Sequence, residues 1–229
     1  MATTVLAIGA HYDDCVFGVS GTLLKLIRKN YRVVILSIIG DYSRWRPVEG
    51  RAEELLEKSR DLAHYYGVEM RFLHYASMRF DFDAEAKRAV SEVVAEVSPD
   101  VAFMLWPDDT HPDHEAASRL SKTALAWAGT VLDRDGVGRP RRIYQYDNGP
   151  RHTISFEPDV SVDISDDWVQ ANEWLGLLMA FVRNQPDSAE KQDPAQAAKE
   201  ALALYRGKAC GVAYAEAFKS FQPYPSEIL

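Results

Sequence analysis

The sequence predicts an α/β protein: a mostly parallel, twisted sheet flanked by helices. Three observations predict it. Short apolar runs have the length of buried strands, helical patterns of roughly ten to fifteen residues alternate with them, and polar clusters stand where the first and fourth runs stop. A chain of 229 residues buries a sizeable core without staples, and it is read as a single domain over 1–229.

Val5–Ala10 is short, apolar and bounded by Gly9 and a polar cluster, as a fully buried strand is. Val19, Leu23, Leu24, Leu26 and Ile27 recur at helical spacing, and Arg28-Lys29-Asn30 close that helix. Arg32–Ile39 is a second buried strand. Residues 51–66 carry Leu55, Leu56, Leu62 and Ala63 on one helical face, with Gly67 as a carboxyl-terminal cap. Val68–His74 is the third strand, Ala84–Val97 the third helix and Asp100–Trp106 the fourth strand. Pro107 through Asp113 reads as a loop, and His114 opens a helix to about Ala128. Arg142–Tyr146 and Val160–Ile164 are further strands, 167–183 and 195–206 are helical, and the polar, proline-bearing 185–196 is a loop or disordered crossing. Such alternation implies right-handed βαβ units in a Rossmann-like layout. In the order 3-2-1-4-5 the ligand crevice lies beyond the carboxyl ends of strands one and four. Residues 11–14 and 107–114 fall at those ends.

Composition narrows the function. An apolar share of 47% with 26% charged residues disfavours the disordered and membrane classes. Apolar runs of about six to eight residues are far short of the roughly 20 that span a bilayer. MATTVLAIGA lacks the basic start of a secretory signal. Cys15 and Cys210 make no CxxC pair, so a reducing cytoplasm is expected. A net charge of −8 with no basic run disfavours nucleic acid, and any anionic substrate must be met by a few local arginines.

The chemistry sits in His11-Tyr12-Asp13-Asp14 and in WPDDTHPDHEAASRL, 106–120. Two histidines and a carboxylate from two loops make the three-ligand site, open at one position, by which catalytic zinc holds a reactive water. His11, Asp14, His111 and His114 are the candidates. Asp13 is placed to accept the proton of that water, and whichever histidine leaves the metal free is placed to protonate the leaving group or hold an oxyanion. The facial triad of a non-haem Fe(II) oxygenase uses the same donors, so that reading stays open as an alternative.

Ala10-His11-Tyr12-Asp13-Asp14 resembles the AHPDD signature, and His111-Pro112-Asp113-His114 the HPDH signature, of the LmbE-like or PIG-L-type zinc-dependent N-deacetylases. The similarity extends to Val5–Leu24, to Arg51–Gly67 with its R-x-E-E start, to Pro99–His114, to Glu157–Ser165 and to GVAYAEAF, 211–218. The resemblance implies His11, Asp14 and His114 as ligands of zinc, exchangeable with another divalent metal. It makes Asp13 the general base, His111 the group that stabilises the oxyanion and protonates the amine, and Asp113 an orienting residue behind a histidine. Arg51 and Arg142 are similar to positions that contact the substrate's polar head. The implied partner is a small N-acetylated substrate of amino-sugar type, without nucleic acid or membrane, and the implied assembly a homo-oligomer.

Two departures stand out. Tyr12 occupies the place of a proline or small residue, which opens the further alternative of a non-catalytic sugar-binding relative. Ala195 and its neighbours stand where some members place a tyrosine. Cys15 reads as a small packed hydrophobe rather than a ligand. No GxGxxG loop is present, Tyr42, Trp45 and Trp106 suit a sugar-stacking wall as well as core, and the stripe of Trp168, Leu175 and Met179 reads as core.

Overall fold

The computed structural model describes residues 3–186 and 192–225. Along the chain run β1 (Thr4–Gly9), α1 (Asp14–Arg28), β2 (Arg32–Asp41), a 3-10 turn at Arg46–Val48, α2 (Ala52–Tyr65), β3 (Glu69–Ala76) and α3 (Ala84–Val97). β4 (Val101–Leu105), α4 (Pro112–Leu132), β5 (Arg142–Tyr146), β6 (Val160–Asp163), α5 (Trp168–Val182), α6 (Pro194–Cys210) and β7 (Ala215–Ser220) follow. Each expected strand and helix is present. The expected crossing at 185–196 lies partly outside the described residues, and its last three belong to α6.

One seven-stranded sheet has the order β3-β2-β1-β4-β5-β7-β6. The first five strands are parallel and reproduce the 3-2-1-4-5 arrangement, while β7 runs antiparallel to both β5 and β6. β1 lies between β2 and β4, so the crevice where strand order reverses opens beyond Gly9 and Leu105. Burial on both faces explains why β1 and β2 are nearly unbroken apolar runs rather than alternating ones. The stripe of Trp168, Leu175 and Met179 is buried, as expected.

Three expectations need correction. The loop before α4 is shorter than predicted, because Pro112 sits in the first helical turn, where its missing N–H costs nothing, and His111 caps that turn. The helix also passes its expected end. It breaks at Trp127, where φ and ψ leave the helical region, and resumes to Leu132. No strand was expected at 215–220, since Ala-Glu-Ala reads as helix former, yet pairing with β5 and β6 sets β7 there.

Candidate metal centre

The turn after β1 and the start of α1 place His11, Asp13 and Asp14, and the turn after β4 with the start of α4 places His111 and His114. Gly9 is required here. A Cβ on it would lie 2.8 Å from Asp14 Cβ, so only glycine lets the strand end pass beneath the carboxylate. Asp14 then accepts the N–H groups of Ala10 and His11, each at 2.8 Å on Oδ2, and the Asn148 amide at 2.8 Å on Oδ1.

His11 Nδ1 and His114 Nε2 stand 3.2 Å apart. Asp14 lies 3.5 Å from the first through Oδ2 and 3.3 Å from the second through Oδ1. Tetrahedral bonds of about 2.1 Å give ligand–ligand edges of roughly 3.4 Å, so this triangle has the size a divalent ion requires. A carboxylate stands behind each imidazole. Asp113 Oδ2 is 3.2 Å from His11 Nε2 and is itself held by Ser77 Oγ at 2.6 Å, while its Oδ1 accepts Met78 N–H at 2.9 Å. Asp109 Oδ2 is 3.0 Å from His114 Nδ1, and its Oδ1 accepts His111 N–H at 2.8 Å. These contacts turn Nδ1 of His11 and Nε2 of His114 toward Asp14.

The charge state argues for a cation. Burial depresses an imidazole, but Asp14 and Asp113 outweigh it at His11 and raise it to about 9. Asp14 and Asp109 likewise overcome burial at His114, raised to about 10. Against its own burial, Asp14 is held well below the usual carboxylate range by His114 and His11. The cluster thus demands two positive charges, as two imidazolium protons or one divalent ion, and two nitrogens with one oxygen suit zinc or a similar metal. The groups His11, His111, Asp113 and Asp109, His114, His152 also have ligand-type composition but share histidines with this triangle.

His111 stands at the cleft, and its Nδ1 accepts the Asp113 N–H at 3.2 Å, so the proton of the neutral ring is on Nε2. Burial, reinforced by His11 and His114, lowers its pKa and keeps it neutral. Burial and the charge of Asp14 push Asp13 up to about 6.

A cleft of about 410 Å³ lies over the cluster, within the range of small-ligand sites. His11, Asp13, Asp14, His111 and His114 all line it. Arg51 and Arg142 do not. Arg51 donates to the carbonyls of Phe181 and Pro47 and covers the Phe181 ring, a structural clasp between the turn before α2 and the end of α5. Arg142 opens β5 at the end opposite the crevice and lies over Tyr224. The arginines that line the cleft are Arg151 and Arg183, which the sequence reading did not single out, and it also missed Asp109, Asn148 and His152. Asp109 was findable, two residues before His111. The others come from segments without a local signature. Tyr12 is buried in the wall, its ring 5.5 Å from Tyr42 and 5.9 Å from Trp45. Tyr42 and Trp45 therefore face the cleft, whereas Trp106 donates to the Ile154 carbonyl and ties down the loop after β5. Ala195 also faces the cleft.

Several known proteins are similar to the chain. The diacetylchitobiose deacetylase of Thermococcus kodakarensis is 27% identical, with 94% of this chain and 82% of that protein covered. A conserved protein of Thermus thermophilus superposes with a TM-score of 0.80 at 24% identity, covering 99% and 97% of the two chains. The 4-carboxy-2-hydroxymuconate hydratase of Pseudomonas putida gives 0.80 at 20%, covering 99% of each chain. N,N'-diacetylchitobiose deacetylase from Pyrococcus horikoshii gives 0.75 at 23%, covering 96% and 84%. Fold likeness at these identities does not select a reaction, since a hydratase and a deacetylase share it. A family model is more specific: the PIG-L model, described as GlcNAc-PI de-N-acetylase, matches residues 6–125, which carry both clusters. Those residues are more than half of the 229, and the chain belongs to the PIG-L family.

Proposed function

We propose that the protein is a metal-dependent deacetylase that hydrolyses the N-acetyl group of a small amino-sugar-type substrate. The observation that carries the reading is the triangle of His11 Nδ1, His114 Nε2 and the Asp14 carboxylate, with Asp13 and His111 on the wall of the same cleft. Membership of the PIG-L family and the named deacetylases among its relatives support the amide as substrate. His11, Asp14 and His114 hold the metal, with zinc as the native ion. When bound, the metal supplies Lewis acidity, lowering the pKa of a water toward 7 and polarising the acyl carbonyl.

The chain's own residues do the rest. Asp13 takes the proton from the attacking water as the new C–O bond forms. His111 donates its Nε2–H to the oxyanion of the tetrahedral adduct. A ring held neutral, with Nδ1 committed to the backbone, is an oxyanion donor rather than a proton carrier. Asp13 therefore returns its proton to the nitrogen as the C–N bond breaks, releasing acetate and the free amine. The aromatic wall of Tyr12, Tyr42 and Trp45 offers the apolar face on which a sugar ring stacks.

Purified protein should release acetate from N-acetylglucosamine conjugates, lose that activity with a chelator and regain it with zinc. Activity that survives complete removal of metal sinks the reading. Oxygen consumption on iron loading would favour the oxygenase alternative instead, and binding without turnover the sugar-binding one. The two free cysteines, Cys15 buried and Cys210 exposed, fit a reducing cytoplasm, and no helix among the described residues is long and apolar enough to cross a membrane. Sedimentation decides whether copies of the chain assemble.

A further inference from the structure

We infer that Asn148 is a positioning residue of the metal centre: its amide holds Asp14 so that a single oxygen, Oδ1, is offered to the ion, and Arg206 on α6 keeps Asn148 in place through Asp147. The role presupposes the reading of His11, Asp14 and His114 as ligands and extends it to residues that touch no metal. A carboxylate has about four lone-pair sites for donors or cations. Oδ2 of Asp14 directs two at the N–H groups of Ala10 and His11, both at 2.8 Å, and Oδ1 directs one at the Asn148 amide, also at 2.8 Å. The site left over is on Oδ1, the oxygen 3.3 Å from His114 Nε2. One carboxylate oxygen with two imidazole nitrogens leaves a coordination position open for the reacting water.

Among the described residues the Asn148 side chain has no other hydrogen bond. A carboxylate oxygen only accepts, so the amino end of the amide faces Asp14 and the carbonyl end points away from it. That carbonyl is buried and without a partner among the described residues. Burying an unpaired carbonyl is unfavourable, and an apolar side chain of the same size would avoid it. What asparagine gains over such a side chain is the bond to Asp14.

The neighbouring elements are shaped to deliver that bond. Tyr146, at the end of β5, donates to the Ile8 carbonyl at 3.0 Å and lies 3.4 Å from Cys15 Sγ, which fixes the strand end against β1 and the first turn of α1. α1 comes close enough only because residue 18 is glycine. A Cβ there would stand 2.5 Å from the Tyr146 ring and 3.1 Å from the Asp147 carbonyl oxygen. From α6, Arg206 Nη2 pairs with buried Asp147 Oδ2 at 2.7 Å, and Asp147 Oδ1 accepts the Gly149 N–H at 3.2 Å, closing a turn around Asn148. Lys199, nearer the start of α6, donates to the Phe17 carbonyl in the first turn of α1. One helix therefore grips both partners of the Asp14–Asn148 bond.

Zinc affinity, read by competition with a chromophoric chelator, tests the role without recourse to turnover. Asn148→Leu keeps the size of the side chain and removes the unpaired carbonyl, and it should bind zinc about 10- to 100-fold more weakly than the wild-type chain. Asn148→Ala should do the same. Arg206→Gln should weaken binding about 2- to 30-fold, and in the Asn148→Leu background it should add nothing, because its effect passes through Asn148. A merely structural role predicts a different result: a lower melting temperature of the chelated variants with zinc affinity unchanged, which overturns the inference. Additive losses in the double variant overturn the part given to Arg206. A zinc-bound structure with the ion on Oδ2, or shared between both oxygens, overturns the assignment of Oδ1. A wild-type chain that takes up no divalent ion removes the metal-centre reading and this role with it, whereas variants that bind as tightly as wild type remove the role of Asn148 alone.

Discussion

Asp13 and Asp14 are adjacent and chemically identical, and their surroundings push their protonation in opposite directions. Asp14 collects two backbone N–H groups, the Asn148 amide and two imidazoles, all of which favour the anion. Asp13 is half-buried beside that anion and is pushed up to about 6, close to the working range of a general base. Asp13→Asn should therefore bind metal normally and lose about 10²- to 10⁴-fold in kcat, read by acetate release beside metal analysis. Asp109→Asn and Asp113→Asn remove the groups behind His114 and His11, and each should weaken metal binding about 10- to 100-fold, measured by competition with a chromophoric chelator. Arg142→Ala should leave kcat/KM within about twofold, the usual size of a surface change, because the residue sits at the far end of β5 from the cleft. Sequence made the ligand clusters legible because His11 with Asp14, and His111 with His114, are three apart and one turn unites each pair. It left Arg151, Arg183 and Asn148 illegible, since nothing local distinguishes a cleft arginine or asparagine from a surface one.

Elements became readable where period and burial agree. β1, β2 and β4 are nearly continuous apolar runs because helices cover both faces, and their order follows from the alternation with helices. β7 was not readable, since its Ala-Glu-Ala start has helical propensity and its strand form comes only from antiparallel pairing with β5 and β6. That strand carries Glu216, which accepts the Gly21 and Thr22 N–H groups of α1 and pairs at 3.2 Å with buried Lys199 of α6. Lys199 also donates to the Phe17 carbonyl, and Phe17 lines the cleft, so this pair joins three elements behind the site. Glu216→Ala leaves a buried ammonium without its counter-charge and should cost about 3–5 kcal/mol, seen as a lower urea midpoint. Gly9→Ala tests the β1–α1 junction. Its Cβ meets Asp14 Cβ at 2.8 Å and Oδ2 at 3.3 Å, so metal affinity should fall even where the fold survives.

At the scale of the whole molecule, the cluster of His11, Asp14 and His114 couples folding to pH. His11 and His114 titrate near 9 and 10 when folded against 6.5 for a free imidazole, because Asp14, Asp113 and Asp109 favour their charged forms. Both groups bind protons more tightly in the folded chain. The stability they contribute is therefore complete below about 6.5 and is lost as pH rises toward 9 to 10. The counterpart at Asp14, held below the usual range, is lost only as pH falls through its depressed value. Chelated protein should thus show a melting temperature that declines between pH 6.5 and 9. On the proposed reading zinc should reverse the dependence, since the ion requires deprotonated imidazoles and would replace the two protons that balance the carboxylates. Across the same pH range the gap between loaded and chelated melting temperatures should widen by several degrees, because each proton that leaves the cluster strengthens the metal's hold. Parallel curves, scanned at fixed ionic strength and fixed free zinc, would mean that these imidazoles and carboxylates do not face one another as the triangle requires.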